Sequence, residues 1–127
     1  MVITPQNGHF DLDETAHNYR RFLEPYLFTP WALKLVELAR LEPGQIVLDV
    51  AAGTGAVTRA AASAVGNSGA VIACDISPAM LSWVERGADN GTDCAPITTL
   101  LSSAESLKLP DGSVDVVLCQ QGFQFML

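Results

Sequence analysis

The most constraining stretch of this 127-residue sequence is Ile46-Val47-Leu48-Asp49-Val50-Ala51-Ala52-Gly53-Thr54-Gly55. Its opening run, Ile46 to Val50, is too apolar for a strand with one face in water, so it predicts a central strand covered on both sides. The glycines that follow predict a tight turn, and the Ala-rich run Ala56 to Val65 predicts a helix folding back along the strand. Gly66-Asn67-Ser68-Gly69 ends that helix, and Ala70 to Cys74 reads as a second apolar strand. Strand, helix and strand in that order imply a right-handed βαβ unit and a mainly parallel sheet.

The same alternation continues downstream. Ser77-Pro78 starts a helix by cap-plus-proline chemistry, with Met80, Leu81, Val84 and Ala88 on its inner face. Ile97 to Leu101 predicts a third strand, Pro110-Asp111-Gly112 a turn, and Val114 to Cys119 a fourth strand. Upstream lie two helical patterns. In Glu14 to Phe28 the residues Ala16, Tyr19, Phe22, Leu23, Tyr26 and Leu27 share one face, with a kink or break at Pro25. Thr29-Pro30 then restarts the pattern with Thr29 as N-cap and Trp31, Leu35, Leu38 and Ala39 as the buried stripe. The expectation is an α/β protein in which residues 1–43 form a helical segment and residues 44–127 the sheet domain. The apolar tail after the fourth strand has no room for a covering helix. An apolar edge of that kind predicts either a fragment of a longer chain, or self-association or a partner covering strand four.

Composition limits the functions available. Fourteen Asp and Glu against seven Lys and Arg give a net charge of −7, which excludes a basic nucleic-acid surface and electrostatic docking on an anionic membrane. The 49 % hydrophobic content is enough for a core. No apolar run approaches the ~20 residues of a membrane span, and no export signal opens the chain, so a cytoplasmic protein is expected. Cys74, Cys94 and Cys119 are odd in number and lack CxxC spacing, which predicts reduced thiols and no metal site.

The chemistry concentrates around the glycines. Gly53 and Gly55 let backbone approach a ligand closely, and Asp75, at the end of the next strand, suits both hydroxyls of a ribose. Asp49 at the mouth of the loop would repel a pyrophosphate but suit an ammonium group. The dinucleotide pattern fails at Thr58, where a small third residue is needed, although Ala51-x-Gly53-x-x-Ala56 is a weak variant match. S-adenosylmethionine therefore leads over NAD. Plainer roles stand beside these: a mere turn for the glycines, a cap region for Asp75, a structural carboxylate for Asp49, core packing for Met80, and ordinary loop polarity for Ser103 and Glu105. Gln120 and Gln121 could simply end a strand, and His17 reads as a surface residue.

Four ordered motifs together resemble the class I S-adenosylmethionine-dependent methyltransferases, in their small-molecule branch with the ubiquinone/menaquinone-biosynthesis enzymes. They are Asp49 to Gly55; Asp75-Ile76 with Met80; Ser103-Ala104-Glu105 through Asp115; and Asp115 through Gln120 to Phe125. The resemblance implies a Rossmann-like sheet with helices on both faces, of which this chain carries the first four strands in the order 3-2-1-4. It also implies Asp49 at the methionine end, Gly53 and Gly55 for backbone approach, Asp75 on the ribose, and Ile76 with Met80 on the adenine. Ala104 would use its backbone, Ser103 or Glu105 would serve the adenine edge, and Gln120 would sit beside the methionine part. Phe10-Asp11, Ala16 and Tyr19 resemble the family's N-terminal lid. Ala51 stands where the family usually has Gly, which is costly if its φ is positive. Ser103 stands where relatives commonly carry Asp. The expected function is methyl transfer to a small organic acceptor, with no catalytic base assigned and activity complete only in a longer chain or assembly. The alternatives are an inactive cofactor-binding fragment or regulatory module, and, less favoured, an NAD-type domain.

Overall fold

Strand β1 (Ile46–Val50) pairs in parallel along both edges, with β2 (Ala70–Asp75) on one side and β4 (Val116–Leu118) on the other. Strand β3 (Ile97–Leu101) extends the sheet beyond β2, giving the expected order β3-β2-β1-β4. This computed structural model describes residues 13–88, 91–122 and 126; the Phe10-Asp11 pair and residues 123–125 and 127 lie outside it. Register brings Asp49 level with Ala73 and Leu118, and Asp75 level with Leu101, so both carboxylates arrive at the same end of adjacent strands.

Helix α3 (Ala56–Val65) connects β1 to β2, and α4 (Pro78–Arg86) connects β2 to β3. Successive right-handed crossovers that step in one direction put both helices on the same face. There Val47 and Val71 meet Val57, Ala61, Ala62 and Val65 of α3, together with Ala32 of an N-terminal helix, while Ala73 meets Leu81 and Val84 of α4. The alternate residues Leu48, Val50 and Cys74 point to the other face. Among the described residues that face is covered by connecting segments through Ala104, Leu109 and Val114, not by the helix expected there. The crossover from β3 back to β4 passes on that side and is a loop. Val117 of β4 remains 57 % exposed.

Local chemistry sets the ends of these elements. Ser77 caps α4, its Oγ accepting the Met80 N–H at 3.2 Å, with Pro78 in the first turn. Asp115 starts β4 by gripping Ile46 twice: its N–H donates to the Ile46 carbonyl at 2.8 Å, and its carboxylate accepts the Ile46 N–H at 2.8 Å. Strand β4 is accordingly shorter than the expected Val114 to Cys119. No helix among the described residues is long and apolar enough to cross a membrane.

The N-terminal region departs from expectation. Helix α1 (Asp13–Asn18), a π-helical segment (Tyr19–Phe28) and α2 (Thr29–Ala39) follow one another without a break. Pro25 sits inside the π segment, and the Thr29 N–H donates to the Glu24 carbonyl, five residues back. Thr29 is not an N-cap, because Phe28 before it is already helical. The inward residues of α1 and the π segment are Ala16, Tyr19, Arg20, Glu24 and Phe28, whereas Phe22, Leu23, Tyr26 and Leu27 face out. A wider turn rotates each residue less than an α-helix does, so a face drawn at a period of 3.6 drifts away from the true one. In α2 the inner stripe is Ala32, Leu35, Val36 and Ala39; Trp31 and Leu38 are 59 % and 68 % exposed.

Gly69, buried between α3 and β2, has no room for a side chain: a Cβ there would lie 2.6 Å from the Gln45 carbonyl oxygen. Gly69→Ala is expected to cost about 1–3 kcal/mol of stability, read as a lower urea midpoint at an unchanged slope.

Candidate functional site

After β1 the backbone turns into α3 through three residues of positive φ, Ala51 (57°), Gly53 (59°) and Gly55 (100°). The Ala52 N–H donates to the Cys74 carbonyl at 2.9 Å, and the Gly53 N–H donates to Asp75 Oδ2 at 2.9 Å, so the end of β2 holds the loop. The other Asp75 oxygen accepts the Ser77 N–H at 2.9 Å. Asp75 thus ties the glycine loop to the start of α4. Ala51 is in the left-handed region, the costly case, and its methyl packs where a side chain on Gly122 would otherwise stand.

Asp49 is buried on the helical face of β1, and its Oδ2 accepts the Thr58 hydroxyl at 2.6 Å. Burial, with Asp75 adding repulsion, pushes its carboxyl up to about 7 against the opposing pull of the Thr58 bond. Tyr19 leans over the loop from the π segment, near enough that a Cβ on Gly53 would lie 3.4 Å from its hydroxyl. Its ring stacks on Phe28 with centroids 4.7 Å apart. Burial, then Asp75 and Asp49, raises the Tyr19 phenol above its ordinary value, so it stays protonated and is a donor.

Tyr19, Phe28, Asp49, Ala51, Thr54 and Gln120 line a small cavity of about 20 Å³. Gln120 Nε2 donates to the Phe28 carbonyl at 2.9 Å, and its Oε1 is buried with no hydrogen-bond partner among the described residues. Two residues that carry buried acceptors, the Asp49 carboxylate and the Gln120 amide oxygen, therefore line one cavity. That set suits a cationic donor such as an ammonium group.

The remaining expected residues lie around the rim. Ile76 is exposed just past Asp75, while Met80 is buried in α4. Ser103 Oγ accepts the Glu105 N–H at 3.2 Å, Glu105 is exposed, and Ala104 packs on the β1–β2 face opposite the helices. Among the described residues no cluster of His, Cys, Asp and Glu gathers as a metal site. Cys74 is buried, donates to the Ser102 carbonyl at 3.3 Å, and is pushed up to about 11 by burial and then by Asp75 and Asp49, so it is an inert thiol.

Sequence reasoning missed Glu24, Thr54 and Arg59. Glu24, buried in the π segment, forms an ion pair with Arg59 of α3 and accepts the Thr54 hydroxyl. Arg59 Nη1 also donates to the Thr54 carbonyl at 2.9 Å. The available signal was a lone Arg in the Ala-rich helix, one turn past Gly55, with few carboxylates near it in sequence.

With this geometry in view, the comparison with known proteins is decisive: a methyltransferase domain profile matches residues 47–127, more than half of the sequence. The chain belongs to that methyltransferase domain family. It is 33 % identical over 94 residues to the ubiquinone/menaquinone biosynthesis C-methyltransferase of Hydrogenovibrio crunogenus, covering 74 % of this chain and 37 % of that protein. The corresponding protein of Burkholderia mallei is 40 % identical over 101 residues, covering 79 % of this chain and 40 % of that one. The methyltransferase domain described here thus spans about two fifths of the length of these relatives. A SAM dependent methyltransferase from Aquifex aeolicus superposes with a TM-score of 0.64 at 25 % identity, over 85 % of this chain and 56 % of that one.

Two outcomes follow from the loop. Because burial raises the Asp49 carboxyl above its unfolded value, its protonated form fits the fold better; stability from this site is full below about pH 4 and lost as pH rises toward 7. Asp49→Asn should flatten that slope, so urea melts at pH 4.5 and 7.5 should differ less in the variant than in the parent. Ala51→Gly removes left-handed strain at the cost of chain entropy, for an expected net gain of about 0.5–1 kcal/mol in the same assay.

Proposed function

We propose that this chain supplies the S-adenosylmethionine-binding part of an enzyme that transfers a methyl group to a small organic acceptor. The observation that carries the proposal is that Asp49 and Gln120, whose Oε1 is buried without a hydrogen-bond partner among the described residues, line one cavity beneath a positive-φ glycine loop. They match the ammonium end of the cofactor and would repel a pyrophosphate. Membership of the methyltransferase domain family and the likeness to C-methyltransferases support the same reading.

In this reading Asp49 and Gln120 hold the amino-acid end, with Tyr19 closing over it. Gly53 and Gly55 let the ligand lie against backbone. Asp75, already oriented by Gly53 and Ser77, takes the ribose; a carboxylate accepts at about four lone-pair positions, so two N–H bonds are compatible with holding a diol. Ile76 offers an exposed apolar surface for the adenine, and the Ser103-Ala104-Glu105 segment supplies its polar edge. When bound, the cofactor supplies a methyl group on an electrophilic sulfonium, and the protein's share is alignment and exclusion of water.

Calorimetric titration of the full chain with S-adenosylhomocysteine and with NADH separates this reading from a dinucleotide domain. Binding of the former and none of the latter is expected, and Asp75→Asn should weaken it about tenfold or more. Tighter binding of NADH would overturn the proposal.

A further inference from the structure

We infer that Glu24 and Arg59 are positioning residues that latch the π segment over the cofactor pocket, so that cofactor enters and leaves only when this pair parts. The inference rests on the reading of that pocket as the S-adenosylmethionine site.

Glu24 sits in the middle of the segment Tyr19–Phe28, and its side chain is only 6 % exposed. One oxygen pairs with the Arg59 guanidinium and the other accepts the hydroxyl of Thr54, a loop residue that lines the pocket. Arg59 in turn donates to the Thr54 carbonyl. A single side chain from the N-terminal region therefore grips both the glycine loop and the helix that follows it. Farther along the same segment, the Phe28 carbonyl is held by Gln120 of the loop after β4. The segment is tied to both walls of the cavity.

What lies beneath the segment explains why these ties control access. The space beside Asp49, about 20 Å³, is enough for one water. Tyr19 and Phe28, both from the π segment, form the wall that must shift before the amino-acid end of a cofactor can reach Asp49. The physical nature of the tie makes it breakable. Glu24 has given up its hydration and the Arg59 side chain, 26 % exposed, has given up part of its own; that hydration returns when the segment swings out, so opening recovers part of what the lost contact costs. Burial lowers Arg59 to about 10, with Arg20 contributing, which is consistent with a guanidinium that has surrendered solvent. The exposed Lys34–Glu37 pair on α2, at 3.4 Å, has no such role and serves as a control.

The test measures association and dissociation rates of S-adenosylhomocysteine with the full chain and its Glu24→Gln, Arg59→Lys and Glu37→Gln variants. For Glu24→Gln both rates should rise, dissociation by about tenfold or more, with Kd moving less than either. Arg59→Lys should fall between Glu24→Gln and the parent, and Glu37→Gln should match the parent. A merely structural pair behaves differently: a smaller competent fraction slows apparent association and leaves dissociation unchanged, and that result overturns the latch. Hydrogen exchange without ligand supplies an independent reading. Faster exchange confined to residues 13–28 in Glu24→Gln, with β1 and β2 unchanged, supports the latch, and unchanged or uniformly faster exchange overturns it. If the parent binds no S-adenosylhomocysteine, the cofactor assignment fails while the exchange experiment still decides whether Glu24 holds the segment down. Should Glu24→Gln fail to fold, Arg59→Lys is read by the same two measurements.

Discussion

Everything near the site depends on the short reversal between Val50 and Ala56, where the backbone passes three times through positive φ. That turn puts only Ala and Gly at its positive-φ positions, and their smallness leaves peptide groups uncovered. Asp75 takes one of those N–H groups at Gly53, the Cys74 carbonyl takes another at Ala52, and Tyr19 rests on the surface that a side chain at Gly53 would have filled. The loop is shaped as much by its neighbours on β2 and the π segment as by its own glycines. Parallel pairing of β1 with both β2 and β4 delivers those neighbours to one end of the sheet.

Two kinds of charge burial meet there. Asp49 is a buried carboxylate held by Thr58, and burial outweighs that support, so its ionised form is disfavoured until a cation arrives. Glu24 is a carboxylate whose cation is already present in Arg59. The first arrangement leaves binding energy unspent at the pocket floor. The second invests it in holding the cover. Less than one helical turn of the π segment separates Glu24 from Phe28, so the two functions are mechanically adjacent.

The sheet was legible in the sequence because its signal is local: apolar runs bounded by glycine and cap chemistry give β1, α3 and β3 their observed ends, and Ser77-Pro78 starts α4 as capping predicts. The N-terminal faces were not legible. Periodicity analysis assumes a turn of 3.6 residues, and a π-helical stretch with Pro25 inside it breaks that assumption, turning Phe22 and Tyr26 outward and Glu24 inward. A buried Glu cannot be recognised from composition, because its partner Arg59 lies in another element and only folding brings them together. Among the described residues the far face is covered by a loop for a topological reason: the crossover from β3 to β4 lies on that side, and nothing in the strand pattern specifies whether such a crossover is helix or loop. Asp49, Gln120 and Tyr19 line one cavity and Asp75 holds Gly53 of the loop beside it, whereas Gly55 is packed against Arg59 and Val84 and Met80 lies buried in α4.

Ala51 and Gly122 constrain one another. The methyl of Ala51 occupies the place a Cβ on residue 122 would need, so glycine at 122 is what lets a non-glycine residue stand in a left-handed position at 51. Changes at these two sites are coupled. With glycine at both, one side chain could be added but not both, because a Cβ on residue 122 would overlap the Ala51 methyl. Position 122, which neither pairs charge nor lines the cavity, is thereby held to one amino acid by a neighbour's single carbon.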